Sequence, residues 1–146
     1  MTALFDSVDS LLEEARVGLE RLTPHEAYDA VARGSLLVDI RPEWQRRNDG
    51  EIPGAIIVER NHLEWRLHPR SGASLPQAVL GQEWIVVCTE GYTSSLAAAS
   101  LKSLDILASD VVGGIYAWRE AGLPVADSVT TVETVVSPHA QALGVS

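Results

Sequence analysis

The sequence has little cysteine, little lysine and no long apolar run, and each shortage argues against a class of protein. A single cysteine, Cys88, permits no disulfide within the chain, so this is not a disulfide-stapled secreted domain. Lys102 is the only lysine, and 20 acidic residues against 11 basic ones give a formal net charge of −9, which disfavours nucleic-acid and anionic-membrane partners. The acidic start of the chain lacks a signal-peptide pattern, and no run approaches a membrane span. We therefore expect a cytoplasmic protein.

The first third of the chain contains two helix signals. Its 146 residues, 46% of them hydrophobic, suit one domain with a buried core. Apolar residues at helical spacing predict an amphipathic helix over residues 3–18. Thr23, Pro24 and Glu26 then form a helix start of the capping-box type, and Gly34 is expected to end that second helix.

Beyond residue 34, apolar runs alternate with helical segments. Short apolar runs predict strands at 36–40, 55–58, 83–88 and 109–114. Helices are expected at 61–67, where Asn61 is the predicted cap, and at 93–104 and 115–122. This alternation predicts an α/β domain with a mainly parallel sheet. We divide the chain into an N-terminal helix (1–20), the α/β domain (21–125) and a loosely attached C-terminal tail (126–146).

Cys88 lies at the predicted end of the most strand-like run. A short loop containing Gly91 follows, and Thr93 or Ser94 is expected to cap the next helix. Ligands of parallel α/β sheets bind beyond the carboxyl ends of strands, and the amides of such a loop, with the positive end of the helix, would stabilise a thiolate. Free cysteines are also common in cores. From these residues alone, a reactive thiol and a core thiol remain equally open.

Three separated stretches give a more specific indication. They are "LLVDIRPEWQRRNDGEIPGAIIV", "IVVCTEGYTSS" and "VVGGIYAWREAGLPV". Together they resemble, in the expected order over residues 21–125, the rhodanese-like (sulfurtransferase) domain family. The resemblance implies a three-layer α/β fold with a mainly parallel five-stranded sheet flanked by helices. It also implies a nucleophilic cysteine that accepts sulfane sulfur as a persulfide, from thiosulfate or another persulfide, and passes it to an external thiol or to cyanide.

The resemblance carries roles onto individual residues. Cys88 matches the nucleophile, and Asp39 and Arg41 match an Asp-x-Arg pair for which we expect a supporting, structural role. The amides of residues 89–93 match the cradle around the sulfur. The expected substrate-binding residues are Thr89, Glu90, Gly91, Tyr92, Thr93 and Ser94. The hydroxyl of Thr93 or Ser94 is a candidate hydrogen-bond donor to the sulfur.

The sequence departs from the family pattern at the loop. Many members close the loop with a basic residue where this chain has Thr93, and Glu90 adds a negative charge. Thiosulfate is therefore expected to be a poorer donor than a persulfide. The candidates for a replacement cation are Arg60, Arg66 and Arg70, with Arg60 preferred. Glu51 replaces the usual histidine before Ile-Pro-Gly-Ala, and we interpret it as a surface change.

Two alternatives to an active sulfurtransferase remain. One is a catalytically weak rhodanese-fold binding or regulatory module. The other, cysteine-phosphatase or arsenate-reductase chemistry, would need an arginine where this chain has Ser94.

We expect no cofactor and no metal, because the four histidines lack partners at metal-ligand spacing. The expected partners are a small sulfur donor and a thiol acceptor. A sulfur-carrier protein and a homodimer formed through the N-terminal helix are further candidates.

Overall fold

A five-stranded parallel sheet forms the centre of the protein. The structure is a computed structural model that describes residues 2–127 and 129–131. The strands are β1 (Arg21–Leu22), β2 (Leu36–Asp39), β3 (Ile56–Ile57), β4 (Glu83–Val87) and β5 (Leu107–Val111). They pair in the order β1-β5-β4-β2-β3, and every pairing is parallel. The predicted α/β fold with a parallel sheet is confirmed.

Helices cover both faces of this sheet. They are α1 (Val8–Arg16), α2 (Pro24–Ala32), α3 (Glu43–Asp49), α4 (Leu63–Leu67), α5 (Thr93–Lys102) and α6 (Gly114–Glu120), and a short 3₁₀ turn at Arg60–His62 leads into α4. No helix in the described part of the chain combines the length and the apolar character that crossing a bilayer requires.

Both faces of the central strands are buried, as is usual for a parallel sheet. Along β4, Trp84 and Val86 join one apolar cluster, which includes Leu101 of α5. Ile85 and Val87 point the other way and join a second cluster, which includes Ala27 of α2 and Trp118 of α6. β4 lies between β5 and β2, so its carboxyl end, where Cys88 follows, is at the middle of the sheet.

The predicted start of α2 is confirmed in detail. The Thr23 amide donates to Glu26 Oε1 over 2.9 Å, and the Glu26 amide donates to Thr23 Oγ1 over 3.2 Å. These two bonds satisfy backbone donors that the first turn of a helix leaves free.

Other boundaries differ from the sequence-based prediction. Helix α1 begins at Val8 rather than at residue 3, β5 begins at Leu107 rather than at residue 109, and a 3₁₀ turn precedes α4 without a side-chain cap from Asn61. Helix α3 and strand β1 were not predicted. The buried side chain of α3 is Arg46, so this helix lacks the apolar periodicity that identifies amphipathic helices.

Glu51 is buried, so its interpretation as a surface change was wrong. Its carboxylate accepts a 2.6 Å hydrogen bond from Arg46 Nη1 and further bonds from the Thr130 amide and hydroxyl, at 2.9 and 2.7 Å. Burial acts to raise the pKa of Glu51, but the hydrogen bonds from Thr130 and the Arg46 charge outweigh it and hold that pKa below its usual value.

The same cluster attaches the start of the expected C-terminal tail. Ala126 exchanges two backbone hydrogen bonds with Glu51, at 2.7 and 2.8 Å, and the Thr130 carbonyl accepts from Arg46 over 2.9 Å. These residues are thus bound to the domain rather than loosely attached. The remainder of the predicted tail, from residue 132 onward, lies outside the described residues.

We predict that Glu51→Gln destabilises the protein in a pH-dependent way. Because the folded pKa of Glu51 lies below the unfolded one, its ionised form stabilises the fold fully above the unfolded pKa, and this contribution is lost as the pH falls through the folded pKa. Leaving Arg46 without its carboxylate should lower the free energy of unfolding by about 3 kcal/mol at neutral pH. Urea denaturation at a series of pH values should show this difference shrinking below about pH 4.

The matched control is Glu43→Gln, which removes an exposed pair with Arg47. It should change the free energy of unfolding by less than about 0.5 kcal/mol. A difference between Glu51→Gln and wild type that stays constant from neutral to acid pH would contradict the assigned role of the carboxylate.

Candidate active site

Cys88 directly follows the carboxyl end of β4, as predicted. Residues 89–92 form the loop, and α5 begins at Thr93. Only 4% of the cysteine surface is exposed, and the residue belongs to the apolar cluster that lies against α5. The sulfur therefore lies in a largely enclosed position.

Two backbone amides donate to the Cys88 sulfur. The Gly91 amide lies 3.2 Å from Sγ, and the Ser94 amide lies 3.3 Å from it. Ser94 is the second residue of α5, whose N-cap residue, Tyr92, makes no side-chain capping bond. The sulfur thus accepts a bond that a serine or aspartate side chain usually accepts at the start of a helix, and it does so at the positive end of α5.

The structure alters the predicted cradle. Among the amides of residues 89–93, the one that donates to the sulfur is that of Gly91, and the second donor is the amide of Ser94. The Ser94 hydroxyl, a predicted donor to the sulfur, instead donates to Asp110 over 2.8 Å. The Thr89 hydroxyl donates to Gln45 of α3 over 2.9 Å.

The remaining predicted substrate-binding residues lie at the surface of the loop. Glu90 and Thr93 are exposed, and Tyr92 is 57% exposed. The expectation that Thr93 or Ser94 caps α5 was wrong, since the cap residue is Tyr92.

The loop conformation requires glycine at two contact points. Gly91 has a φ of +89°, and a Cβ there would lie 2.7 Å from the Gly113 amide nitrogen. Gly114 has a φ of +59°, and a Cβ there would lie 2.4 Å from the Cys88 carbonyl oxygen and 2.5 Å from that of Thr89. Both residues adopt a conformation that costs side-chain-bearing residues energy, and both lie where the backbones meet.

At this close approach, backbone amides at the start of α6 bind carbonyls at the start of the loop. The Ile115 amide donates to the Cys88 carbonyl over 2.9 Å, and the Tyr116 amide donates to the Thr89 carbonyl over 3.3 Å. The first turn of α6 therefore supplies partners for the backbone on which the sulfur is mounted.

Asp39 and Arg41 form a buried ion pair at the end of β2. Both side chains are fully buried, and Arg41 Nη2 lies 2.6 Å from Asp39 Oδ2 and 2.7 Å from the Gly50 carbonyl. The pair thus connects β2 to the end of α3, the helix that also provides Gln45 to the loop. The supporting role of these two residues in the site stays a prediction.

Comparison with known proteins identifies the family. The model of the rhodanese-like domain matches residues 23–121, which is well over half of the chain. The chain belongs to the rhodanese-like domain family.

A curated relative of this rhodanese-like chain is the adenylyltransferase and sulfurtransferase UBA4 of Yarrowia lipolytica. The two are 30% identical over 100 residues, which are 68% of this chain and 24% of the relative. The chain therefore spans about a quarter of the length of that protein.

Solved structures show the same fold. A protein of unknown function from Rhodopseudomonas palustris, described as a possible tyrosine phosphatase, is 29% identical, with a TM-score of 0.76 over 86% of this chain and 98% of that one. A thiosulfate sulfurtransferase from Pseudomonas aeruginosa is 23% identical, with a TM-score of 0.58 over 76% of this chain and 20% of that one. The predicted rhodanese-like fold is confirmed.

The arginine expected to approach the rhodanese loop has another partner. Arg60 Nη1 bonds both carboxylate oxygens of Glu64, at 2.9 and 3.0 Å, and Glu64 also accepts a bond from Ser100 of α5. Burial acts to raise the pKa of Glu64, but these donors outweigh it and keep that pKa below its usual value. Arg66 Nη1 donates to the Ala73 carbonyl over 2.7 Å.

Two other arginines contact the loop, and neither was predicted from the sequence. Arg16, in the last turn of α1, donates to the Gly91 carbonyl over 3.0 Å and to the Ser95 hydroxyl over 3.0 Å. Arg21 of β1 donates to the same Gly91 carbonyl over 2.9 Å and to both carboxylate oxygens of Asp110. Asp110, which lies inside a predicted strand, could have indicated one of these arginines, because a buried carboxylate requires a partner.

The described residues contain no cluster of three or more histidine, cysteine, aspartate or glutamate side chains that could hold a metal ion.

We predict that Gly114→Ala damages both the fold and the loop. The added Cβ would meet two backbone carbonyls, neither of which can rotate away, so we expect a loss of about 3 kcal/mol in the free energy of unfolding. Urea denaturation measures that loss, and the rate of Cys88 alkylation by iodoacetamide reports the displacement of the loop.

Gly122→Ala is the matched control. Gly122 has a comparable φ of +78°, but a Cβ there has no neighbour within 4 Å, so only the backbone strain of about 1 kcal/mol should appear. Equal losses for the two variants would mean that the close approach of α6 to the loop does not matter.

Proposed function

We propose that the protein is a sulfurtransferase in which Cys88 carries sulfane sulfur as a persulfide. The observation that carries this proposal is the pair of amide hydrogen bonds to Cys88 Sγ, from Gly91 and Ser94, at the start of α5. Backbone donors and a helix N-terminus favour a negative sulfur over a neutral one. The thiolate is the form of cysteine that attacks sulfur–sulfur bonds.

In the first step, the Cys88 thiolate attacks the sulfane sulfur of the donor. A new sulfur–sulfur bond forms to Cys88, the donor's own sulfur–sulfur bond breaks, and its electron pair leaves with the departing group. That group is sulfite when the donor is thiosulfate, and a thiolate when the donor is a persulfide. The product is an anionic Cys88 persulfide, whose charge the two amides and the start of α5 continue to stabilise.

In the second step, an external nucleophile takes the outer sulfur. A thiolate or cyanide attacks it, the bond to Cys88 breaks, and the Cys88 thiolate is regenerated as the leaving group. Cys88 is the only cysteine in the sequence, so no second thiol of this chain can resolve the persulfide. The acceptor is therefore a separate molecule, either a small thiol or a sulfur-carrier protein.

The charges of the exposed loop side chains favour a donor of low charge. Thr93 and Glu90 are both exposed, so the side chains that a donor meets first are neutral or negative. A thiosulfate dianion would be repelled by Glu90 and would find no cation at position 93. We therefore propose a persulfide, which carries a single charge, as the better donor.

The named relatives support sulfur transfer more than hydrolysis of a phosphate ester. The Yarrowia and Pseudomonas proteins are both described as sulfurtransferases, whereas the Rhodopseudomonas protein is described as a possible tyrosine phosphatase. The arginine that phosphatase chemistry needs would stand at position 94. In this chain the position is a serine whose hydroxyl donates to Asp110.

A second candidate is a catalytically weak binding or regulatory module with the same fold. The observation that favours it is the burial of Cys88, of which 4% is exposed, together with the neutral Thr93. Formation of a persulfide on the folded protein separates the two candidates.

We predict that intact wild-type protein gains the mass of one sulfur atom on Cys88. Folded protein is incubated with a glutathione persulfide or with thiosulfate and then examined by mass spectrometry, and Cys88→Ala serves as the control that cannot be modified. Added cyanide should remove the sulfur as thiocyanate. An unmodified wild-type chain after both donors would refute the sulfurtransferase proposal and favour the binding module.

A second prediction concerns donor choice. Thr93→Arg places a guanidinium at the first position of α5, and we expect thiosulfate turnover to rise about tenfold while persulfide turnover changes less. Thr93→Gln is the control, because glutamine has a long polar side chain without the charge. A similar rise in both variants would show that charge at this position does not limit thiosulfate use.

A further inference from the structure

The Gly91 carbonyl accepts hydrogen bonds from two arginines that precede the family domain. Arg16 Nη2 lies 3.0 Å from this oxygen and Arg21 Nη2 lies 2.9 Å from it. Both residues lie outside the segment that the rhodanese-like family model matches, which begins at residue 23. The matched family segment therefore assigns them no role.

The two arginines differ in their net effect on charge. Arg21 is paired with the fully buried carboxylate of Asp110, at 3.0 and 3.1 Å, so this pair is close to neutral. Within residues 2–127 and 129–131, the hydrogen-bond acceptors of Arg16 are the Ser95 hydroxyl and the Gly91 carbonyl, both of which are uncharged. Among the described residues Arg16 forms no ion pair, so it brings to the loop a positive charge that is not directly paired with a carboxylate.

Gly91 connects this charge to the reactive sulfur. Its amide donates to Cys88 Sγ over 3.2 Å, while its carbonyl accepts from both arginines. The orientation of the residue is therefore set on both sides, with the amide turned toward the sulfur and the carbonyl turned toward the guanidinium groups.

We propose that Arg16 is a positioning residue for Cys88, and that from helix α1 it brings a positive charge to the Gly91 carbonyl of the loop. This inference rests on the proposed function of Cys88 as a sulfur carrier. It makes α1 a part of the active site, although this helix lies before the matched family domain. Arg16 acts through Gly91, by fixing the loop amide on the sulfur and by favouring the thiolate and the anionic persulfide.

The packing of α1 supports a role beyond filling the core. No residue of α1 is fully buried, although Leu12 and Ala15 are partly buried. Arg16 adds polar contacts to Ser95 of α5 and to the Gly91 carbonyl of the loop. Because α1 has no fully buried apolar side chain, its contact with the loop is its distinctive feature.

Other charged groups lie close to Arg16. Asp9 and Glu13 of α1 line the same surface groove as Arg16 and Tyr92, and Asp110 of β5 accepts from the Ser95 hydroxyl to which Arg16 donates. Glu90 is exposed on the loop itself. Replacing Arg16 removes both a charge and two hydrogen bonds, so the test has to separate these two effects.

The test compares Arg16→Gln, which keeps a hydrogen-bond donor but removes the charge, with Arg16→Lys, which keeps the charge. The measurement is the rate of Cys88 alkylation by iodoacetamide as a function of pH, because only the thiolate reacts. We expect Arg16→Gln to move the midpoint of this profile to higher pH and to slow alkylation at neutral pH about three- to tenfold. Arg16→Lys should stay within about twofold of wild type.

Arg33→Gln is the matched control, since Arg33 is an exposed arginine at the end of α2. It should leave the profile unchanged, and urea denaturation of each variant checks folding. A profile for Arg16→Gln that coincides with wild type would overturn the inference, as would equal slowing by Gln and Lys. A wild-type thiol that iodoacetamide does not reach would overturn it too.

The proposed function can fail separately. If wild type forms no persulfide but Arg16→Gln still shifts the alkylation profile, the positioning of the thiolate stands and the sulfur-carrier role does not. If wild type forms the persulfide and the Arg16→Gln profile is unchanged, the function stands and the inference about Arg16 is refuted.

Discussion

The site depends on the hydrogen bonds from two backbone amides, of Gly91 and Ser94, to one sulfur atom at the start of α5. A four-residue loop has to bring both amides back to the cysteine that precedes it, and this leaves little freedom in the backbone. Gly91 meets the constraint with a positive φ, and it lies so close to Gly113 that no side chain would fit. The sulfur in turn satisfies a donor that the helix start would otherwise leave free.

Around this loop, each neighbouring element fixes one part of it. The first turn of α6 binds the carbonyls of Cys88 and Thr89, Gln45 of α3 binds the Thr89 hydroxyl, and Arg16 and Arg21 bind the Gly91 carbonyl. The buried Asp110 carboxylate links several of these groups, since it accepts hydrogen bonds from Arg21 and from Ser94 and Ser95 of α5. Buried polar groups of this kind contribute to a unique conformation when every member has a partner.

Much of the architecture could be predicted because its causes are local. Alternating apolar runs and helical segments indicated the α/β class, the capping box at Thr23 indicated the start of α2, and three short stretches indicated the family. Helix α3 could not be found in this way, because its buried side chain is Arg46. Arg46 donates to Glu51 and to the carbonyl of Thr130, which is 84 positions away, so this cluster is complete only in the folded chain. For the same reason Glu51 was mistaken for a surface residue.

The sequence by itself determined that Cys88 follows a buried strand and precedes a short glycine-containing loop and a helix. It could do so because strand periodicity, turn residues and helix starts are properties of neighbouring residues. Only the tertiary structure decided which groups surround the sulfur. Arg16 and Gly91 are 75 positions apart in the sequence, and Arg21 and Asp110 are 89 positions apart. No local spacing relates either pair. Burying a charge is costly, so these residues find their partners where the sheet and helices bring them together, and that place is set by packing of the whole domain.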